Sequence, residues 1–309
     1  MERPPILAVT LHPCRDLWYE VPEWRPDAVL RASAFAETAA GKGLNAARIA
    51  AALGERAAAL LPADPADRGL AARHAPEVEI DVVDAGAPWR ANAHLATPAG
   101  RFKVNSAAAP IDPSRLGAVL DAVRRRAAGA VVLCAGGVWP GLGDGAWAEV
   151  LAAARGAGAL ATVLDASGAP LRLAARGAGW LKVNAEELAD LGAPAEPRAL
   201  IDLVNDLALE GAAATLGAEG ALLARGGSVW RARPAAVEGE ATGAGDAFAG
   251  GLCAGIARGL GGAELLRLAS AAARARLLAG TGGLPSPAAL RDAAEAVRVD
   301  RITSPRPES

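Results

Sequence analysis

The sequence predicts an α/β protein: a mostly parallel central sheet covered by helices on both faces, plus a small separate β-sheet. Three observations carry that prediction. Apolar runs of strand length recur along the 309 residues, the stretches between them are Ala-rich, and two segments break the rhythm by alternating polar with apolar residues. Strands apolar on both faces belong to a parallel sheet with both sides buried, whereas alternation marks strands with one wet face. In an open, doubly wound sheet, ligands sit beyond the carboxyl ends of the strands, so chemistry is sought in the loops that follow them.

Taken in order, the first strand run is "ILAVTL" from Ile6. The alternating segment "HPCRDLWYEVPEWRPDAVLRASAFAE" follows, read as short antiparallel strands. "AAGKGLNAARIAAALG" from Ala39 is a glycine-marked helix start running to Gly54, and "RAAALLP" from Arg56 and "VEIDVVD" from Val78 are the next buried strands. The second alternating segment, "APWRANAHLATPAGRFKVNSAAAP", completes the small sheet, which spans about residues 12–38 and 88–106. Trp18, Trp24 and Trp89 are expected on its outer face, where they either fill its base or meet a second protomer. Four more buried runs follow: "AVVLCAG" from Ala130, "ALATVLD" from Ala159, "WLKV" from Trp180 and "AAATLG" from Ala212. Phe248, Leu252 and Ile256 are four apart, so a helix begins near Gly243. Residues 1–300 form one domain, and the tail 301–309 is expected to fray.

Composition narrows the function. Lys and Arg total 32 against 34 Asp and Glu, a net charge of -2 with no long run of one sign, which argues against nucleic acid or an anionic membrane as partner. Cys14, Cys134 and Cys253 are scattered without a paired spacing, as in a reduced cytosol. The start lacks the basic and apolar regions of a signal peptide, and no membrane-length apolar stretch occurs, so a cytoplasmic location is expected. His12, His74 and His94 show no metal spacing.

"EGEATGAGDAFAGG", Glu238 to Gly251, sets one acid among glycines at a helix start. Each glycine in a helix costs about 1 kcal/mol relative to alanine, so something must offset Gly243, Gly245, Gly250, Gly251 and Gly255. One reading is close helix packing. The other is an anion cradle, in which free amides at Gly243 and Gly245 and the positive helix end hold a phosphoryl group. Asp246 would repel phosphate, but it makes sense as the base that takes a proton from an attacking hydroxyl. A Walker loop, G-x-x-x-x-G-K-S/T, is absent, and a dinucleotide fingerprint would need glycine where Phe248 stands. In the earlier cluster, Gly41 and Gly43 allow close backbone approach and Asn45 offers a donor and an acceptor to a sugar hydroxyl.

Together, in this order, these motifs resemble the phosphofructokinase-B family of sugar kinases, within the ribokinase-like superfamily, over about Ile6 to Pro287. "TLHPCRDLWYEVP" is similar to the family's T-L-N-P-A-x-D opening, and "RPDAVLRAS", "AGKGLNAAR", "RANAHL", "LKVNAEEL", "ATLGAEGALL", "ATGAGDAFAGG" and "AGTGGLPS" follow in family order. The pattern is most similar to the branch of 1-phosphofructokinase and tagatose-6-phosphate kinase. The resemblance implies a ribokinase-like domain with the small sheet as a lid, using ATP and Mg2+ to phosphorylate a sugar phosphate. It implies Asp246 as base, with Gly243, Ala244 and Gly245 as anion hole. Asp16, Gly41, Lys42 and Asn45 would face the sugar, and Arg90 and Asn92 on the lid would reach its far end or its phosphate. Thr215, Gly217, Gly220 and Thr242 would line the nucleotide, and Asn184 and Glu187 would organise magnesium through water. As residues alone, Asn184 and Glu187 read equally as a helix cap. A homodimer through paired lids is also implied.

Departures concentrate at the sugar. The family's S-G-S-L-P loop reads Ala135, Gly136, Gly137, Val138, Trp139; Ala40, His12, His94 and Glu240 replace a family Gly, Asn, Lys and Asp. Trp139 either narrows the pocket or packs beneath it. A kinase for an unphosphorylated sugar or nucleoside therefore stays open, as does a nucleotide-binding protein without turnover; a dehydrogenase is a remoter alternative. Placed at a helix N-terminus, Asp246 is expected to be a weak base that accepts its proton late.

Overall fold

In a computed structural model, residues 5–234, 243–280 and 283–302 are described. The chain runs β1 (Ile6–Val9), β2 (Cys14–Glu20), β3 (Ala34–Ala40), α1 (Lys42–Ala52), β4 (Ala57–Ala63), α2 (Pro65–His74), β5 (Glu79–Asp84), β6 (Arg90–Thr97) and β7 (Gly100–Asn105). It continues with α3 (Arg115–Arg126), β8 (Val131–Ala135), α4 (Ala146–Gly156), β9 (Ala161–Asp165), α5 (Gly168–Ala174), β10 (Trp180–Asn184) and α6 (Ala185–Asp190). Then come α7 (Pro197–Asp206), β11 (Gly211–Thr215), β12 (Ala221–Arg225), β13 (Ser228–Pro234), α8 (Ala244–Ala257), α9 (Gly262–Leu278), α10 (Pro287–Glu295) and β14 (Val297–Ile302).

A ten-stranded sheet has the order β14-β13-β12-β11-β10-β9-β8-β1-β4-β5. Its parallel part, β5 through β11, is the set of seven apolar runs read from the sequence. Every residue of β1, β8 and β9 is buried, as strands covered on both faces require. Three antiparallel strands were not anticipated: β12, β13 and β14 extend one edge. Gly226 and Gly227, at φ 54° and 72°, form the two-residue turn between the first two of them. Arg301 and Ile302, assigned to the tail, pair in β14 with Trp230 and Val229; residues 303–309 lie outside the described ones.

The second sheet has the order β3-β2-β6-β7. Its outer pairs are antiparallel, but the central pair β2/β6 is parallel, contrary to expectation. The two come from segments separated by α1 to β5, a crossover long enough to return the chain in the same direction. Alternation then sorts the side chains. Cys14, Asp16, Trp18, Thr38, Arg90, Asn92, Lys103 and Asn105 face a cleft against the main sheet, while Phe35, Phe102 and Val104 are exposed on the opposite side. Two of the three tryptophans expected on that outer side are elsewhere. Trp18 shares the parity of Asp16 and points inward, and Trp89 is buried, its indole N–H donating to the Pro62 carbonyl at 2.7 Å. Trp24 alone of the three packs there, over Phe102 with ring centroids 4.8 Å apart.

Close packing answers part of the glycine question. α8 lies between α1 and α9. A Cβ on Gly250 would collide with the Ala46 carbonyl oxygen, and one on Gly251 would stand 2.8 Å from Ala269 Cα. Gly250→Ala is therefore expected to destabilise the protein by about 1–3 kcal/mol through overpacking, although alanine is the better helix former. Chemical denaturation measures this, and a stabilised variant would refute the packing account.

Candidate active site

The cleft between lid and main sheet lies at the carboxyl ends of β1 and β8 and holds about 380 Å3. Its floor is the start of α8. Gly243 is the N-cap in left-handed conformation, φ 83°, which admits glycine readily. The Ala247 amide makes the first helical bond, to the Gly243 carbonyl at 3.0 Å, so the amides before it are those a helix leaves without internal partners. Asp246 sits in that first turn and faces the cleft.

Asn45 reaches Asp246 from α1, its Nδ2 donating to Oδ2 at 2.8 Å. The start of α1 is fixed by close approach to β1: a Cβ on Gly41 would stand 2.7 Å from Thr10 Cγ2, and one on Gly43 2.5 Å from Thr10 Oγ1. The Leu44 amide donates to that Oγ1 at 3.2 Å. The two glycines thus bring the helix start against β1, and Gly41 and Lys42 line the cleft.

Beneath lies an ion cluster that the motif reading missed. Asp165, fully buried at the end of β9, meets Lys42 Nζ at 3.1 Å and Lys182 Nζ at 3.2 Å. Burial pushes its carboxyl up, but Lys182 and Lys42 outweigh that and hold it below the usual range. Lys182 Nζ lies 3.2 Å from where a Cβ on Gly245 would stand, so this glycine admits a buried cation beside the amides of α8. The signal was present in "WLKV" and "TVLD": charges inside buried apolar strands require partners.

Burial also decides the state of Asp246. It raises the carboxyl pKa; the Asn45 hydrogen bond and the two lysines lower it, Asp165 raises it, and the net shift is upward. The weak base expected from the helix N-terminus is thus a stronger one, because desolvation, the largest cause, outweighs the Asn45 hydrogen bond and the two lysines.

On the lid, Asp16 is held by Asn92, whose Nδ2 donates to Oδ1 at 3.0 Å and also to Cys14 Sγ at 3.1 Å. The amide assigned from the sequence to the sugar's far end is spent here on Asp16. His94 Nε2 stands 3.3 Å from Asp16 Oδ2, its ring stacked on Trp18 with centroids 3.9 Å apart. His12 lines the cleft and stacks on Trp139; burial and Arg90 lower its pKa to about 4, so it is neutral near pH 7. Trp139 is itself buried, donating to the Ala109 carbonyl at 2.9 Å, and packs beneath the pocket.

The structure therefore brings Asp16, Gly41, Lys42, Asn45, Arg90, Asn92, Gly243 and Asp246 to one cleft. Ala244 and Gly245 begin the adjoining helix. Asn184 and Thr215 end β10 and β11, which pair side by side, with Gly217 and Gly220 in the turn beyond. Asn184 and Glu187 form a reciprocal capping box on α6, both bonds 2.8 Å. Thr242 and Glu240 lie outside the described residues. Among the described residues no cluster of three metal-ligating side chains occurs, and no helix is long and apolar enough to cross a membrane.

The family described as pfkB family carbohydrate kinase matches residues 8–289. Among curated relatives, a 1-phosphofructokinase of Rhodobacter capsulatus is 35% identical, covering 96% of this chain and 98% of its own. A 1-phosphofructokinase of Xanthomonas campestris pv. campestris is 31% identical with the same coverage. Among solved structures, the tetrameric inhibited form of phosphofructokinase-2 from Escherichia coli superposes with a TM-score of 0.86 at 25% identity, over 94% of this chain and 98% of that one.

Asp165→Asn removes the only carboxylate paired with buried Lys182 in the described residues. A loss of about 3–5 kcal/mol is expected, the cost of stranding a buried charge. Urea denaturation tests it; a change below about 1 kcal/mol would reduce the cluster to an ordinary surface pair.

Proposed function

The chain belongs to the pfkB family of carbohydrate kinases, and from that premise we propose that it transfers the γ-phosphoryl group of ATP to a hydroxyl of a phosphorylated ketohexose. The observation that carries this reading is the half-buried carboxylate of Asp246, hydrogen-bonded by Asn45 at 2.8 Å and placed in the first turn of α8, where a carboxylate and amides without helical partners share one helix end.

Asp16 and Asn45 hold the sugar from the two walls of the cleft. The acceptor hydroxyl loses its proton to an Asp246 oxygen as its own oxygen bonds to phosphorus, and the bond to the ADP oxygen breaks in line. Amides of Gly243, Ala244 and Gly245 hold the charge on the migrating group, with Lys182 and Lys42 close behind. The lid excludes water and so suppresses hydrolysis. Thr215, Gly217, Gly220 and Thr242 serve the nucleotide side.

Magnesium fits as a hydrated ion. It usually keeps several waters and takes one or two carboxylates with substrate phosphates, and the chain offers such a sparse set. Glu187 is buried, with its pKa raised by burial and by Asp165, so nearby positive charge would relieve it. Asn184 and Glu187 would hold the ion through water, and it would supply charge neutralisation to the ATP phosphates. The lid's exposed Phe35, Phe102 and Val104 form the surface through which two copies would pair.

A coupled assay of ADP release over fructose 1-phosphate, fructose 6-phosphate, tagatose 6-phosphate, fructose and ribose tests the reading. Turnover on free sugars alone would favour the unphosphorylated-substrate kinase, which the hydroxyl-free loop Ala135 to Trp139 supports. Asp246→Asn is expected to lower kcat about 10²–10⁴-fold, the usual worth of a general base, while ATP still binds; near-normal turnover would remove Asp246 from its role. The pH profile follows from the same carboxylate. Activity needs its charged form, so it is present above the raised pKa and lost as pH falls through it. The acid limb of kcat/KM is expected above the ordinary Asp value of about 3.9. Asn45→Ala, which deletes a bond favouring the charged form, should move that limb further up; a limb unmoved or shifted down contradicts the assignment.

A further inference from the structure

The last turn of α9 brings an arginine to the helix end that holds Asp246. Arg276 belongs to a helix that packs along α8, and its half-buried side chain lines the cleft together with Gly243, Asn45 and Asp246. The guanidinium has a defined pose. Nη1 donates to the Gly280 carbonyl at 2.6 Å, just beyond the end of α9, which seats the group on its own helix terminus. The edge bearing Nε and Nη2 faces Gly243: a Cβ on that glycine would stand 3.2 Å from Nε and 3.5 Å from Nη2. Two parallel N–H groups on one edge are the fork with which an arginine grips the oxygens of a carboxylate or a phosphoryl group.

The two glycines of the cradle therefore serve the same end on its two sides. Gly245 yields the space of a side chain to Lys182 Nζ, and Gly243 yields it to Arg276. The placement is electrostatically pointed. A cation is stabilised at the C-terminal end of its own helix, where Arg276 sits, and is repelled by the N-terminal end of another, which it meets at Gly243. An anion seated at that end draws on the fork and on the helix amides together, and their mutual repulsion turns into joint attraction.

We propose that Arg276 is a catalytic residue of the phosphoryl transfer, donating through Nε and Nη2 to non-bridging oxygens of the migrating group. This rests on the kinase reading above and adds a member to its transition-state cradle. The balance of the step is unchanged. The acceptor oxygen bonds to phosphorus, the bond from phosphorus to the ADP oxygen breaks, and the hydroxyl proton passes to Asp246. Arg276 stays protonated throughout, because a guanidinium does not titrate in proteins. Charge in such a transfer spreads over the equatorial oxygens of the migrating group; the amides of Gly243, Ala244 and Gly245 meet it from the floor and the fork of Arg276 from the side. The bond to Gly280 holds that fork in place beforehand, so no reorganisation is needed as the charge develops.

Steady-state kinetics of the wild type, Arg276→Ala and Arg276→Lys test this, with ATP and the sugar of the panel above that the wild type phosphorylates best. Arg276→Ala is expected to lower kcat about 10²–10³-fold, the usual worth of one preorganised donor to developing charge, while KM for ATP and for the sugar stays within about threefold of wild type. Arg276→Lys keeps the charge and loses the fork, so its kcat should settle roughly tenfold below wild type. Guanidinium chloride at a non-denaturing concentration should raise the kcat of Arg276→Ala and leave that of Asp246→Asn unchanged, a rescue that a merely structural side chain would not give. Where Arg276→Ala does not fold, Arg276→Lys decides, and a wild-type kcat in it overturns the proposal. So does a loss in Arg276→Ala confined to KM, a kcat within about threefold of wild type, or a fall in kcat that accompanies a lowered melting temperature and does not respond to guanidinium. Each of these leaves the kinase reading standing. A wild type that releases no ADP with any sugar of the panel overturns both.

Discussion

A single buried carboxylate organises this molecule. Asp165 sits at the end of β9 with no access to water and survives as an anion because Lys42 and Lys182 stand on either side of it. Coulomb attraction between such groups strengthens as water is removed, but so does the cost of losing any one of them. One lysine begins α1 and the other lies in β10, so the cluster ties the Asn45 helix to the sheet that carries Asn184. The cluster acts on the carboxyl of Asp246 in both directions, Asp165 raising its pKa and the two lysines lowering it.

The lid obeys a different constraint. It is a four-stranded sheet with polar groups on one face and aromatic and aliphatic groups on the other. Its polar face is internally wired: Asn92, His94 and Cys14 all converge on Asp16. An acid so held has one orientation, as a group that must meet a particular hydroxyl requires. The two walls therefore divide the work, with acid and cations on the lid and acid and amides on the floor.

Much of this was legible in the chain because the signals were local. Seven apolar runs gave the parallel sheet, and the glycines around Gly41 and Gly243 marked the two helix starts that meet at Asn45 and Asp246. What escaped depended on partners distant in sequence. The parallel pairing of β2 with β6 and the inward turn of Trp18 follow from register, which periodicity alone cannot assign. Strand β14 is short and polar, recognisable only once β13 offers it an edge. Lys182 and Asp165, each a charge within an apolar run, announce that a partner is needed, but only the sheet shows that they are each other's, 3.2 Å apart. The capping box of Asn184 and Glu187 satisfies the local reading of that motif and leaves its part in metal binding to experiment.

The helix glycines have a mechanical corollary. With Gly250 and Gly251 letting α8 touch α1 and α9 backbone to backbone, that wall has no side-chain cushion on which to slide or roll. It behaves as an anvil. The roof, by contrast, joins the rest through four chain crossings, before β2, after β3, before β6 and after β7, so it is tethered by loops where the floor is locked by backbone.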